Sequence, residues 1–188
     1  MINVELKARC ADPDRVRRVL DEAGADFRGT DRQRDVYFAV PEGRLKLRRG
    51  TIERSLVFYR RSDRAEARRS EVTMARLEAA APEAMDALED ALTAALGIRA
   101  VVEKRREIRF VDNVKFHLDD VPGRGRFVEI EAIDLTGSLG EDRLREQCEA
   151  WRRRLGIAEQ DLVSFSYADA PDVPDAPEPS SSTPGRSM

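Results

Sequence analysis

One pattern limits what this chain can fold into: short runs in which apolar and charged residues alternate strictly. In "INVELKARC", residues 2 to 10, Val4, Leu6 and Ala8 fall on one face of an extended strand. Glu5, Lys7 and Arg9 fall on the other, because strand side chains alternate with period two. "GRLKLRR" sets Leu45 and Leu47 against Arg44, Lys46 and Arg48, and "VKFHLDD" sets Val114, Phe116 and Leu118 against Lys115, His117 and Asp119. "FVEIEA" sets Val128, Ile130 and Ala132 against Glu129 and Glu131. Two readings fit. The charged faces can be the solvated side of an antiparallel sheet, although such faces usually mix in Thr, Ser and Gln, and these carry almost none. Alternatively, the sheet curls into a barrel with helices on its apolar side, and the charges point inward. A lumen of that kind must hold something equally charged, since buried unpaired charge is strongly unfavourable. Bases clustered on some strands suit a polyphosphate, and carboxylates on others suit a hard divalent cation.

Helices to pack against such a sheet are also visible. Asp12 caps a helix with Pro13 at its first position, with Val16, Val19, Leu20 and Ala23 as its apolar stripe and Gly24 as its end. The spacing of Met85, Leu88, Leu92 and Leu96 predicts a helix over about 82–96, before Gly97. Leu144, Cys148, Trp151 and Leu155 predict another over about 141–155, before Gly156. The remainder is β-rich without regular βαβ alternation, so the chain reads as an α+β domain with a mainly antiparallel sheet.

Composition narrows function. Charged residues make up 37% of the 188, yet the net charge is only -3, which argues against a nucleic-acid binder. No apolar run reaches the length of a membrane span, and no signal-peptide core opens the chain, so a cytoplasmic protein that does not meet a membrane is expected. Cys10 and Cys148 are isolated, and His117 is the only histidine, which disfavours a zinc site or a disulfide framework. "DAPDVPDAPEPSSSTPGRSM", residues 169 to 188, is rich in Pro, Ser and Asp and reads as a disordered tail behind a domain of residues 1 to 168. The basic run "RRSDRAEARRS", residues 60 to 70, reads as a solvated strand end and loop.

In order along the chain, "NVELKAR", "QRDVYF", "GRLKLR", "YRR", "EKRRE", "HLDDVPGRGRFVEIE" and "SFSY" resemble the successive motifs of the CYTH superfamily. That superfamily contains class IV adenylyl cyclases and triphosphatases, and the resemblance is strongest to the class IV adenylyl cyclase-like branch. It implies a closed antiparallel eight-stranded β-barrel, a triphosphate tunnel, with helices packed outside. It also implies roles. Glu5 and Lys7 match the second and third positions of the superfamily's Glu-x-Glu-x-Lys signature, and Asn3 stands where its first carboxylate belongs. Glu129 and Glu131 match the paired acids that complete the metal site, so Asn3, Glu5, Glu129 and Glu131 are the expected metal residues, for Mg²⁺ or Mn²⁺. Lys7, Arg9, Lys46, Arg48, Arg60, Lys104 and Arg106 are expected to bind phosphate, with Arg61 the alternative to Arg60. Lys7, Arg106 and the tunnel aspartate Asp119 are the expected catalytic residues. The implied partner is a nucleoside or other triphosphate, and the resemblance is compatible with a homodimer. Expected chemistry is formation of cyclic AMP and pyrophosphate from ATP. Hydrolysis of an inorganic or organic triphosphate, such as tripolyphosphate or thiamine triphosphate, is the alternative. A polyphosphate-binding module without catalysis is a third.

Overall fold

In the computed structural model, residues 2–61 and 67–169 are described. The proposed tail beyond Asp169, the middle of the basic run and the side chain of Arg61 lie outside them. The chain begins with β1 (Ile2–Arg9) and α1 (Pro13–Glu22), followed by β2 (Asp26–Phe38), β3 (Arg44–Gly50), β4 (Arg54–Arg61) and β5 (Arg68–Arg76). Then come α2 (Pro82–Leu96), β6 (Ile98–Val111), β7 (Val114–Val121), β8 (Gly125–Asp134) and α3 (Glu141–Arg154). All neighbouring strands are antiparallel and close into a barrel of order β1-β5-β4-β3-β2-β6-β7-β8.

The helix signals act as expected. The Asp12 carboxylate accepts the Arg15 N–H at 2.9 Å, and Pro13 takes the first turn, where its missing N–H leaves nothing unpaired. Gly97, after α2, adopts φ 74°, a left-handed conformation that a side chain would oppose.

The apolar core lies between the barrel's outer surface and the helices. Val4, Leu6, Ala8, Phe116, Leu118, Val128, Ile130 and Ala132 cover one side of the barrel, and Val16, Leu20, Leu144, Cys148 and Leu155 press on them from α1 and α3. Trp151 adds an edge-on contact to Phe116, with ring centres 4.8 Å apart. Val36, Phe38, Leu45, Leu47 and Leu56 form a second apolar face under Met85, Leu88 and Leu92 of α2. Burial of each large apolar side chain contributes roughly 1.5–3 kcal/mol. Where the outer faces of β1, β2, β3, β7 and β8 are turned to a helix, period-two alternation sends the charged residues inward. The solvated-face reading of the sequence therefore gives way to the lumen reading. A third cluster, Tyr37, Val102, Val121, Phe127, Val163 and Tyr167, plugs one end of the barrel with the segment after α3. Asp169, the first residue of the proposed tail, is part of that segment and pairs with Arg44 and Arg99. No helix among the described residues is long and apolar enough to cross a membrane.

Candidate active site

Strand register assembles two kinds of wall around a cavity of about 550 Å³, within the size range of small-molecule sites. On β2, β3 and β6 the bases gather. The buried Asp35 carboxylate accepts Lys46 Nζ at 3.1 Å, Lys104 Nζ at 2.9 Å and the Arg48 guanidinium at 2.9 and 3.1 Å. Burial alone would raise the Asp35 pKa, but Arg48, Lys104 and Lys46 together hold it well below the usual carboxylate range. Burial and the neighbouring Arg106 push Lys104 down to about 7, and Asp35 only partly offsets them. Arg106 forks onto Asp119 of β7 at 2.6 and 2.5 Å and reaches Glu129 of β8 at 2.6 Å. Despite burial, Asp119 and Glu129 raise the Arg106 pKa well above its ordinary value. Tyr167, from the plug, donates its hydroxyl to Asp119 at 2.6 Å, and Lys7 Nζ lies 3.6 Å over its ring. These cations are fixed in place and already partly desolvated, as a rigid anion site requires.

Acids predominate on β1 and β8. Register sets Glu131 between Glu5 and Lys115, and Glu129 between Lys7 and His117. Glu129 is fully engaged, accepting Lys7 at 2.9 Å, Arg106, and His117 Nδ1 at 2.9 Å. Burial, Arg106 and Lys115 lower the His117 pKa to about 3. The ring is therefore neutral, with Nδ1–H donated to Glu129 and no protein partner at Nε2 among the described residues. Glu131 differs from Glu129. Burial raises its pKa, and Glu5 and Glu129 add to the rise, against the opposing effects of Lys115 and the Asn3 amide. Asn3 Nδ2 donates to Glu131, while Asn3 Oδ1 is buried without a partner among the described residues.

An orphaned amide oxygen beside two crowded carboxylates is a donor set of oxygens alone, the chemistry that Mg²⁺ and Mn²⁺ prefer. Asn3, Glu5 and Glu131 therefore fit a hard divalent cation. Among the described residues, no three His, Cys, Asp or Glu side chains are already gathered at metal-binding distances. The fit thus rests on the amide oxygen as well as the acids.

Most of the expected site residues meet in this cavity: Asn3, Glu5, Lys7, Lys46, Arg48, Lys104, Arg106, Glu129 and Glu131 all line it. Asp119 lies behind Arg106, whose guanidinium covers it, and acts as the anchor that aims Arg106. Two expectations are corrected. Arg60 points outward, 58% exposed, and pairs with Glu42. On β4 the residues lining the cavity are Ser55, Val57 and Tyr59, so Arg60 falls on the opposite face. Arg9 keeps the parity of Lys7 but is exposed and does not line the cavity; its guanidinium lies 5.6 Å from the centre of the Phe127 ring, part of the plug.

Four contributors lie outside the residues expected from sequence: Asp35, Lys115, Glu53 and Tyr167. Asp35 could have been assigned from it, because Val36 and Phe38 set the outer face and leave Asp35 and Tyr37 inside. Lys115 carried the same signal. Glu53 sits in the β3–β4 turn, where alternation says nothing, and Tyr167 lies in an irregular segment.

The architecture defines a class: a closed antiparallel barrel whose lumen sets a basic wall against an acidic one. The CYTH domain family model matches residues 1–167, so the chain belongs to the CYTH family, a metal-dependent triphosphate-tunnel family whose members are generally enzymes acting on triphosphates. Among solved structures it is similar to the PH1012 protein of Pyrococcus horikoshii, with 26% identity over 89% of this chain and 98% of that one and a TM-score of 0.75. A proposed adenylate cyclase from Vibrio parahaemolyticus shares the fold at 22% identity, covering 89% and 95% of the two chains with a TM-score of 0.69. So does a proposed adenylyl cyclase from Hippeastrum, HpAC1, described as having a dominant triphosphatase activity, at 16% identity, 83% and 88% coverage and a TM-score of 0.52. A comparison with functionally curated proteins returns no match.

Proposed function

We propose that this chain is a metal-dependent enzyme of the class IV adenylyl cyclase type, forming cyclic AMP and pyrophosphate from ATP inside the tunnel. One observation carries the reading: a single cavity bears Lys46, Arg48, Lys104 and Arg106 on one side and Glu5, Glu131 and the orphaned Asn3 oxygen on the other. A triphosphate and a divalent cation are complementary to those two walls.

Lys46, Arg48 and Lys104 hold phosphate oxygens through charge-assisted hydrogen bonds, each contributing roughly 1.5–3 kcal/mol when well formed. Asp35 keeps the three pointed into one place before the substrate arrives. Lys7 and Arg106 meet the reacting phosphate, and Asp119 and Tyr167 fix the plane of the Arg106 guanidinium. Asn3, Glu5 and Glu131 would hold Mg²⁺ or Mn²⁺, with Glu129 beside them as a further oxygen donor oriented by Lys7, Arg106 and His117. When bound, the metal supplies Lewis-acid stabilisation of the charge that develops on phosphate oxygens. The plugged end keeps bulk water away from one side of the cavity, which favours attack by the ribose 3′-hydroxyl on the α-phosphorus, with pyrophosphate leaving.

The same cage serves hydrolysis when a water is aligned instead, so products decide. Chromatography of an ATP reaction with Mn²⁺ or Mg²⁺ is expected to show cyclic AMP with equimolar pyrophosphate. ADP and orthophosphate alone, or far faster consumption of tripolyphosphate than of ATP, would replace the cyclase reading with a triphosphatase. A rise in melting temperature with tripolyphosphate but no turnover would leave a binding module.

A further inference from the structure

Lys7, Lys46, Arg48, Lys104, Arg106 and Lys115 each have a carboxylate partner inside the protein, so an entering polyphosphate must compete for them. Two of those partners are immovable: Asp35 and Asp119 are fully buried under the groups they bind. Glu129 belongs to the proposed metal side. Glu53 is different. It comes from the β3–β4 turn, not from a strand, and its side chain is 23% exposed. Its Oε1 accepts Lys115 Nζ at 2.5 Å, and its Oε2 accepts Arg48 Nη1 at 2.9 Å and Gln33 Nε2 at 3.1 Å.

The turn that presents it is rigidly built. The buried Asp31 carboxylate accepts the Ile52 N–H at 2.9 Å, the Glu53 N–H at 3.0 Å and the Thr51 hydroxyl at 2.9 Å. Gly50 permits the close approach, since a Cβ there would lie 2.4 Å from the Glu53 carbonyl oxygen. The backbone of Glu53 is therefore held, while its side-chain torsions remain the only route by which the carboxylate can leave Arg48 and Lys115.

We propose that Glu53 is a resident counter-anion of the tunnel. Its carboxylate occupies the seat of one phosphate on Arg48 and Lys115 and swings aside when a polyphosphate enters. A polyphosphate offsets this displacement through its further contacts with Lys46, Lys104 and Lys7. A single phosphate has no such further contacts, so Glu53 makes the tunnel selective for chains of phosphates. This rests on the triphosphate reading of the cavity.

The test is titration calorimetry of the full chain with inorganic tripolyphosphate and with orthophosphate, in chelator so that metal binding does not contribute. Glu53→Gln keeps the shape and an acceptor oxygen but removes the charge. It is expected to tighten tripolyphosphate binding about tenfold or more, because a unit charge within a few ångströms of the ligand is removed. Orthophosphate binding should become measurable. Glu53→Asp retains the charge on a shorter stem and should stay within about threefold of wild type. Unchanged or weaker tripolyphosphate binding by Glu53→Gln, with wild type binding normally, overturns the role of Glu53 and makes it a structural clasp. Absence of tripolyphosphate binding by wild type and both variants overturns the triphosphate reading itself, and this proposal with it.

Discussion

Asp35, buried, and Glu131, half-buried, are carboxylates facing the same tunnel, and their surroundings pull them in opposite directions. Asp35 is surrounded by Lys46, Arg48 and Lys104 and is held well below the usual carboxylate range. Glu131 stands directly across from Glu5, with Glu129 also nearby, and its pKa is raised. The difference shows that the lumen is two half-sites. One is basic, the complement of a polyanion. The other is acidic, the complement of a divalent cation. A ligand carrying several phosphates with a divalent metal satisfies both at once, whereas a network built only for stability would have paired Glu131 as completely as Asp35.

The largest expected effect comes from reversing a charge on the cationic side. Lys46→Glu places a carboxylate beside Asp35 and removes a phosphate donor. Tripolyphosphate binding by calorimetry should fall by about a hundredfold or more, the loss of one charge-assisted hydrogen bond plus an added repulsion. A smaller change would mean that β3 contributes little to the anion seat.

On the acidic side the informative change adds charge. Asn3→Glu restores a third carboxylate beside Glu5 and Glu131 and should tighten Mn²⁺ binding about tenfold, since a charged oxygen donor replaces a neutral one. Unaltered Mn²⁺ affinity would remove Asn3 from the metal side.

Lys104 sharpens the comparison through pH. Its ammonium titrates near 7 in the native tunnel and near 10.5 in the unfolded chain. Between those values the unfolded chain binds the extra proton, so as far as Lys104 decides it, ligand-free stability rises with pH across that window. A polyphosphate at Lys104 favours the charged form. Binding at about pH 8 should therefore take up a fraction of a proton, seen as a calorimetric enthalpy that depends on the ionisation heat of the buffer. Buffer-independent heats would show that Lys104 is not in contact with the bound anion.

How far the sequence revealed this depends on where apolar residues lie. On β1 and β3 only one face is apolar, and on β7 and β8 the inner face is apolar only at Val121, Phe127 and Ile133 near the strand ends, so period two sorts the inside from the outside and most of the cage follows. On β4 both faces are apolar, with Leu56 and Phe58 on one and Val57 and Tyr59 on the other. The alternation there has no direction, so it does not choose between Arg60 and Arg61, and Arg60 faces solvent. Arg9 has the right parity, but parity does not tell where a strand leaves the cavity: Arg9 is exposed, beside Phe127 of the plug. Glu53 and Tyr167 come from a turn and an irregular segment, positions set by tertiary contacts with Asp31 and Asp119 that no local period encodes.

Paired thermal melts at neutral pH in chelator, without ligand, test the two-half-site account most directly. Asp35→Asn strips the shared anion from the buried Arg48 and Lys104 and the half-buried Lys46 and should lower stability by about 3–5 kcal/mol. Glu131 behaves oppositely. Its raised pKa means that its native carboxyl is stabilising only while protonated, and that contribution is lost as pH rises above the unfolded value of 4.5. Glu131→Gln therefore removes a repulsion and should raise the melting temperature by about 2–4 °C, with the gain reversed relative to wild type when Mn²⁺ is added. Opposite shifts for the two variants are the predicted result. If both substitutions destabilise the metal-free protein, Glu131 is a paired structural carboxylate like Asp35, and the acidic half-site does not exist.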